Sequence, residues 1–360
     1  MNRPNGCRSS QIHVIIFLIS CFILSGCEDR SDWADKDVNF LLTQLKSNRS
    51  EDKRGWAVYW LGKKIEDRGK VIPALTDALL NDRRRRVRVA ATHALGDMKP
   101  PAVSAIPAMM EALQRLDTGS IEPPASTEWD LHTEVVEALG DMGTEAIPAL
   151  MQVLHSDLRT WPKAGVEICQ IDPSMQDTVI EAIVGKLSHE VWQIRFTAIY
   201  TLQEIDKLSL QEIDDSFLLS VFTKAFNDPD AGVRLQAINA LQKFNDVSLV
   251  PVFIKALSDP YHAIRKRAID ALEEIEPAAA KAAVPALTNT LEGTDSYVRK
   301  RAAIVLGQMG REAESAVPAL VNLLADSELA VAKSAADALR KIGTPEALRA
   351  VEAYEQRENN

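Results

Sequence analysis

One short motif recurs along the chain, and its spacing is the feature that most constrains the fold. An apolar residue, a proline and two further apolar residues repeat in VIPAL (71–75), AIPAM (105–109), AIPAL (146–150), LVPVF (249–253), AVPAL (283–287) and AVPAL (316–320). Successive prolines are separated by 34, 41, 103, 34 and 33 residues, and the gap of 103 holds three periods of about 34. Two repeats without the proline are therefore expected near Val179 and Phe217, and another near Val38, which makes nine repeats.

Each repeat has the pattern of two helices joined by a polar turn. Proline suits the first turn of a helix, because the N–H that it lacks would have no partner there. In the repeat at 283–310, apolar residues recur at helical spacing from Val284 to Leu291, and again from Val298 to Leu306. Gly310 then suits a left-handed helix cap. Because no strand-type alternation occurs after the N-terminal segment, the sequence predicts an all-α chain.

The order of proline motif, Asp, Val-Arg and Ala-Leu-Gly resembles the HEAT-repeat family, in the short form of phycobilin-lyase-type proteins. The resemblance covers residues 38–343. Tetratricopeptide repeats have a similar period but place their proline after the second helix, and the ankyrin TPLH signature is absent. The resemblance implies a right-handed α-solenoid of about nine helix pairs, each stabilised by its neighbours, followed by a C-terminal cap helix and tail at 344–360.

Acidic and basic residues also repeat in register with the proline motif. In the HEAT family, an Asp of the turn and an Arg of the second helix form a ladder between neighbouring repeats. The matching positions here are Asp228, Asp259 and Asp326, together with Arg88, Arg195, Arg234, Arg265 and Arg299, and Ala332 interrupts the series in the last repeat. A structural ladder is the favoured interpretation, and ligand binding by the same residues is the alternative.

Further basic residues cluster where second helices begin, a position at which they oppose the helix dipole. We refer to them as the basic stripe: Arg84, Arg85, Arg88, Arg265, Lys266, Arg267, Arg299, Lys300 and Arg301. In an acidic protein, such a stripe is a candidate surface for an acidic partner protein or an anionic surface polymer. The alternative is a solvated face whose charges are paired with local acids.

The N-terminus has the pattern of a bacterial lipoprotein signal peptide. Arg3 and Arg8 precede an apolar run from Val14 to Leu24, which as a helix would rise about 16 Å, too short to span a bilayer core of about 30 Å. Leu24-Ser25-Gly26-Cys27 resembles the lipobox, which implies cleavage after residue 26 and lipidation of Cys27. Residues 27–37 then form an acidic tether, and the mature protein is anchored on the periplasmic side of the inner or outer membrane, or at the cell surface.

The net charge and the cysteine content exclude some classes of function and of structural cross-link. Without residues 1–26 the chain keeps 39 basic and 51 acidic residues, a net charge of −12, which argues against a nucleic-acid partner. Cys169 is then the remaining unlipidated cysteine, so no intramolecular disulfide is expected. Its apolar surroundings suggest a buried side chain and not a nucleophile.

Catalytic and cofactor signals are weak. The chain has no HExxH, GxSxG, P-loop or CxxC pattern, and its one His-Glu pair, His189-Glu190, is too little for the two-iron site of deoxyhypusine hydroxylase, another HEAT protein. No cofactor, metal or catalytic residue is predicted.

These patterns leave three functional hypotheses. The first is a membrane-anchored scaffold for a partner protein. The second is a lyase-like subunit or chaperone that binds a cofactor or small ligand, and the third is a spacer without a specific partner. Two irregular segments, 114–130 and 159–174, interrupt the repeats, and each is either a functional extension or a tolerated insertion.

Overall fold

A computed structural model describes residues 33–116, 131–208, 210–276 and 279–358 of the chain. In these ranges the protein has 19 α-helices and no β-strand, which confirms the predicted all-α solenoid of HEAT repeats. The helices form nine consecutive pairs, each with a first helix A and a second helix B, and one further helix follows. The chain divides into two compact units, Met1–Ala149 and Leu150–Asn360.

The first unit contains the first three pairs and the beginning of the fourth. Its helices are α1 (Val38–Ser47), α2 (Glu51–Gly62), α3 (Arg68–Asn81), α4 (Arg85–Asp97), α5 (Ile106–Leu116) and α6 (Leu131–Asp141), and the unit boundary falls within α7 (Ile147–His155). The apolar faces of these helices form its core, in which Leu41, Leu61, Leu75, Leu95 and Leu139 are fully buried.

The second unit contains the remaining helices, which have the same alternation of A and B. They are α8 (Trp161–Ile171), α9 (Gln176–Lys186), α10 (Trp192–Lys207), α11 (Asp215–Ala225), α12 (Ala231–Gln242), α13 (Val250–Ala256), α14 (His262–Glu274), α15 (Val284–Thr290), α16 (Ser296–Gln308), α17 (Val317–Leu323), α18 (Leu329–Ile342) and α19 (Pro345–Glu358). The two repeats predicted without a proline correspond to the pairs α9–α10 and α11–α12. Their first helices bury Val179 and Phe222.

Five of the six motif prolines occupy the second position of helix A. Pro107, Pro148, Pro251, Pro285 and Pro318 stand there, as the missing N–H predicts. Pro73 differs, because α3 already begins at Arg68 and the proline lies inside the helix. Gly310 adopts the predicted left-handed conformation with φ of 57°.

Successive B helices pack directly on each other within each unit. The Gly of the Ala-Leu-Gly motif makes this close approach possible. A Cβ added to Gly96 of α4 would lie 3.0 Å from the Cα of Ala138 in α6, and one added to Gly307 of α16 would lie 2.7 Å from the Cα of Ala338 in α18. The repeated glycine is therefore a packing residue.

Residues 33–37, which the sequence places in the tether, are part of the folded first unit. Trp33 is buried and makes edge contacts with Phe40 and Trp56. Asp37 caps α1 by accepting a hydrogen bond from the N–H of Phe40. The predicted signal peptide 1–26, the lipidation site Cys27 and residues 117–130 of the predicted insertion 114–130 lie outside the described residues.

The other irregular segment, 159–174, folds as α8 and the beginning of a short 3₁₀ helix, Pro173–Met175. Trp161 at the start of α8 is buried, and its ring lies 5.2 Å from the ammonium group of Lys186. This segment therefore contributes to the core of the second unit.

Candidate functional site

The predicted ladder is present as bidentate Arg–Asp pairs, and we call each pair a rung. In one rung, Nε of Arg234 donates to Oδ2 of Asp259 at 2.8 Å, and Nη2 donates to Oδ1 at 3.1 Å. The other guanidinium nitrogen, Nη1, donates to the carbonyl oxygens of Asp228 and Pro229 in the turn before its own helix. Four rungs of this kind occur in the described residues: Arg54–Asp82, Arg195–Asp228, Arg234–Asp259 and Arg299–Asp326.

The ladder aspartate also stabilises its own turn. Oδ1 of Asp259 accepts a hydrogen bond from the N–H of Tyr261 at 2.8 Å, and Asp228 and Asp326 accept the same bond from Asp230 and Glu328. This is the Asx-turn geometry that Asp favours. One carboxylate therefore closes a turn and binds the arginine of the preceding repeat.

Burial makes the rungs strong charge-assisted contacts. The side chains of Arg299 and Asp326 are only 13% and 6% exposed. The hydrogen bond from Arg299 holds the pKa of the Asp326 carboxyl below its ordinary value. Burial is the largest single influence on Asp82 and Asp228 and would raise their pKa values. The hydrogen bonds from Arg54 and Arg195, a backbone hydrogen bond to each carboxylate and the attraction of nearby arginines together outweigh it, so both pKa values are also lowered.

Sequence reasoning missed one ladder arginine and the residues that replace the turn aspartate. Arg54 is the most buried ladder arginine, and in its own turn Asn48 takes the place of Asp. His189 fills the same place before Arg195, where its Nδ1 accepts the N–H of Val191. The spacing of six residues between turn residue and arginine is the signal that would have found both.

The predicted ladder is interrupted at particular residues. Arg265 keeps the bonds to its own turn, but the turn of the next repeat has Gly293 where the turns before and after it have Asp259 and Asp326. Ala332 occupies the arginine position of the last repeat, as predicted. Arg88 donates to the carbonyl of Asp82 in its own turn, and residues 117–130, the region of the next turn, lie outside the described residues.

The basic stripe divides into paired and accessible charges. Arg299 belongs to a rung, Arg301 pairs with Asp270 and Glu273, and Arg84 lies 3.6 Å from Glu51. Arg85 at the start of α4 is half-buried and also has a partner.

The remaining stripe residues in the second unit are more available. Lys266, Arg267 and Lys300 have no carboxylate within 4 Å in the described part of the chain, and the Lys266 ammonium lies 4.4 Å from the Tyr297 ring centroid. The accessible charges of the stripe in this unit are therefore Lys266, Arg267, Lys300 and one edge of Arg265.

The other candidate groups have structural surroundings. Burial raises the pKa of the Cys169 thiol to about 11, so it stays protonated at neutral pH, and its side chain is fully buried in α8. His189 is engaged in its turn, as described above. Within the described ranges, no group of three or more His, Cys, Asp or Glu side chains is placed to hold a metal ion, and no helix is long and apolar enough to cross a membrane.

Among solved structures, the chain is similar to several large helical proteins. A structure in which Kap95p binds RanGDP aligns with a TM-score of 0.54 at 13% identity, over 93% of this chain and 50% of the matched chain. The karyopherin Kap121p bound to Ste12p aligns with a TM-score of 0.47 at 13% identity, over 98% and 45%. An engineered protein aligns with a TM-score of 0.41 at 23% identity, over 89% and 82%. The chain spans about half the length of the karyopherin chains.

Comparison with protein families is more direct. No curated protein matches the chain. The family model of HEAT repeats matches residues 38–119, 219–292 and 284–360, which together are more than half of the chain. The model of the PBS lyase HEAT-like repeat matches residues 133–156. The chain therefore belongs to the HEAT-repeat family.

Proposed function

We propose that this protein is a membrane-anchored lipoprotein whose HEAT repeats serve as a scaffold for a partner protein. The observation that carries the proposal is the accessible positive charge on α14 and α16 in a chain of net charge −10. Lys266, Arg267 and Lys300 have no carboxylate within 4 Å in the described residues, although the chain is rich in acids. Lys266 and Arg267 are exposed and Lys300 is half-buried, and cations without a nearby carboxylate in so acidic a chain favour a role in binding an acidic surface.

Two further observations support the proposal. Kap95p, which has a similar fold, binds the protein RanGDP. Leu24-Ser25-Gly26-Cys27 directly follows an apolar run, and lipidation of Cys27 with two or more acyl chains gives stable anchoring where a single chain does not. The partner would therefore be held at the periplasmic or outer face of a bacterial membrane.

Affinity capture after cross-linking in native membranes tests the proposal. The wild type is compared with Cys27→Ala, which removes the lipidation site. We expect the wild type to enrich one partner protein from the membranes. The Cys27→Ala chain should leave the membrane fraction, and the partner should no longer be captured there. Recovery of Cys27→Ala in the membrane fraction at the wild-type level would contradict the anchor.

Charge reversal tests the binding surface separately. Lys266→Glu, Arg267→Glu and Lys300→Glu in one variant should abolish capture with unchanged helix content, because none of these side chains is part of a rung. The matched control reverses three exposed lysines elsewhere in the second unit, Lys224, Lys243 and Lys333. Equal capture by the two triple variants would exclude the stripe as the binding surface.

A further inference from the structure

The turn between α15 and α16 has a glycine at the place of the ladder aspartate. Gly293 stands six residues before Arg299, as Asp228 stands six before Arg234 and Asp259 six before Arg265. Its carbonyl oxygen accepts the hydrogen bond from Nη1 of Arg299 at 2.9 Å, which is the bond that the carbonyl of Asp259 accepts from Arg265 at 2.9 Å. Gly293 is therefore the ladder position of this repeat.

The backbone of this turn has kept the form that the aspartate occupies elsewhere. The N–H of Gly293 donates to the carbonyl of Thr290 at 3.1 Å. The N–H groups of Asp228, Asp259 and Asp326 donate to the carbonyl three residues before them, each also at 3.1 Å. The φ of Gly293 does not lie in the left-handed region that would require glycine. A Cβ added to Gly293 would lie 3.1 Å from the carbonyl oxygen of Thr290, a close contact that requires a shift of a few tenths of an ångström. Apart from this small adjustment, what the repeat lacks is the carboxylate.

Arg265 is the arginine that would bind a carboxylate at position 293. It is held in the same way as the arginines of the four Arg–Asp rungs, which we call filled rungs. Its Nη1 donates to the carbonyls of Asp259 and Pro260 at 2.9 and 3.0 Å, which match the 3.0 and 2.9 Å of Arg234. These bonds leave the edge formed by Nε and Nη2, which in the four filled rungs binds both carboxylate oxygens. In the described residues, no carboxylate lies within 4 Å of the Arg265 guanidinium, although Glu292 is the neighbour of Gly293.

A guanidinium edge that is fixed in position and lacks its acceptor is a receptor for an oxyanion with two oxygens. Arginine binds carboxylates through two parallel hydrogen bonds, and lysine does not offer this fork. Because two carbonyls already orient Arg265, little side-chain entropy remains to be lost on binding. The filled rungs show the geometry, with Nε–Oδ2 distances of 2.6–2.8 Å and Nη2–Oδ1 distances of 2.7–3.1 Å.

We propose that this open rung binds an Asp or Glu side chain from an acidic segment of the partner protein, whose carboxylate takes the place of the missing ladder aspartate. The inference rests on the scaffold function and names the contact that would carry it. The surroundings favour an acidic segment over an isolated carboxylate, because Lys266, Arg267 and Lys300 lie on the same two helices. Tyr261 and Tyr297, which are 42% and 39% exposed, add apolar contact area at the helix starts.

Fluorescence anisotropy with a purified chain tests the fork. The probe is a fluorescein-labelled peptide that alternates Asp with Ser, and a peptide with Asn in place of Asp is its control. Arg265→Lys keeps the charge but loses the fork, so we expect peptide affinity to fall at least about tenfold. Arg311→Lys is the matched control, since Arg311 is exposed and belongs neither to a rung nor to the basic stripe, and the peptide affinity of this variant should stay within about twofold of the wild type.

The complementary variant closes the site. Gly293→Asp supplies the missing carboxylate in cis, which should block the peptide. Filling the rung should stabilise the turn by more than the small shift of the Thr290 carbonyl costs, so we expect the melting temperature to rise. Its matched control is Asn289→Asp, which adds the same charge at an exposed position of α15 without reaching the ladder place. We expect Asn289→Asp to weaken the peptide far less than Gly293→Asp does.

Several results would overturn the open rung. The first is that the Asp peptide does not bind the wild type, and the second is that both Arg265→Lys and Gly293→Asp bind it with wild-type affinity. The third is that Asn289→Asp and Gly293→Asp weaken binding equally, which would indicate unspecific charge attraction. The scaffold function is judged separately by capture from membranes. A Gly293→Asp chain that still captures the partner at the wild-type level would leave the scaffold function in place and remove the open rung from it.

Discussion

A ladder arginine acts through two different edges of one guanidinium group. Nη1 of Arg299 closes its own turn at the carbonyl of Gly293, and Nε and Nη2 bind Asp326 in the following repeat. Asp326 in turn accepts the N–H of Glu328. Each rung therefore connects the order of one turn to the order of the next, which is how a repeat gains stability from its neighbour.

The rung predicts a large effect from a small truncation. Asp326→Ala should lower the free energy of unfolding by about 3 kcal/mol, because it leaves the mostly buried Arg299 without its counter-charge and removes an acceptor from the turn. Glu312→Ala is the control, since its pair with Lys281 is exposed, and it should cost no more than about 1 kcal/mol. Urea denaturation followed by circular dichroism measures both. Similar losses in the two variants would mean that the ladder adds no more than surface pairing.

The ladder residues could be predicted from the sequence where a repeat has the same Asp or Arg as its neighbours. They could not be predicted where another residue type takes that place. Asp228 and Arg234 stood out because Asp259 and Arg265 have the same spacing of six residues. Arg54 did not, because the turn before it uses Asn48, whose side-chain oxygen accepts the same turn hydrogen bond from Ser50. Gly293 also gave no sign of a missing ladder aspartate by its residue type, because glycine is common in polar turns. The spacing of six residues before Arg299 marks Gly293 as the ladder position, and the structure adds that Arg265 has no carboxylate within 4 Å in the described residues.

At the scale of helices, the close packing of successive B helices depends on small residues at facing positions. Gly62 of α2 faces Ala94 of α4, as Gly307 faces Ala338, so the same contact recurs in both units. The helical period predicted from the sequence identified the buried faces of these helices. It did not identify the glycine contact, because the contact depends on the register between two helices and not on the pattern within one.

Gly307→Ala should therefore destabilise the second unit even though alanine favours helices. The added Cβ would lie 2.7 Å from the Cα of Ala338, a backbone atom that moves only if the two helices separate. We expect a loss of about 1–3 kcal/mol in the free energy of unfolding. Gly55→Ala is the matched control, because nothing lies within 4 Å of its added Cβ and helix propensity alone should stabilise it by about 1 kcal/mol. A stabilised Gly307→Ala variant would contradict the close contact.

For the whole molecule, the rungs make stability depend on the charge state of a few buried carboxylates. Asp82, Asp228 and Asp326 have pKa values below the ordinary 3.8 when the protein is folded. The unfolded chain therefore binds more protons than the folded chain as the pH falls past this value. The stabilisation from these groups is complete above about pH 5 and is lost as the pH falls through the lowered pKa values.

Acid unfolding measures this contribution. It must be separated from general charge repulsion, which grows below the isoelectric point of about 5.3, where the loss of carboxylate charge leaves the protein increasingly positive. The free energy of unfolding in urea should fall between about pH 7 and about pH 3 in the wild type, and it should fall less in Asp326→Asn, because that variant has no carboxylate to protonate in its last rung. Glu314→Gln removes an exposed carboxylate outside the ladder and should keep the wild-type dependence. If Asp326→Asn lost as much stability on acidification as the wild type, repulsion between surface charges would account for the acid sensitivity, and the last rung would add nothing to it.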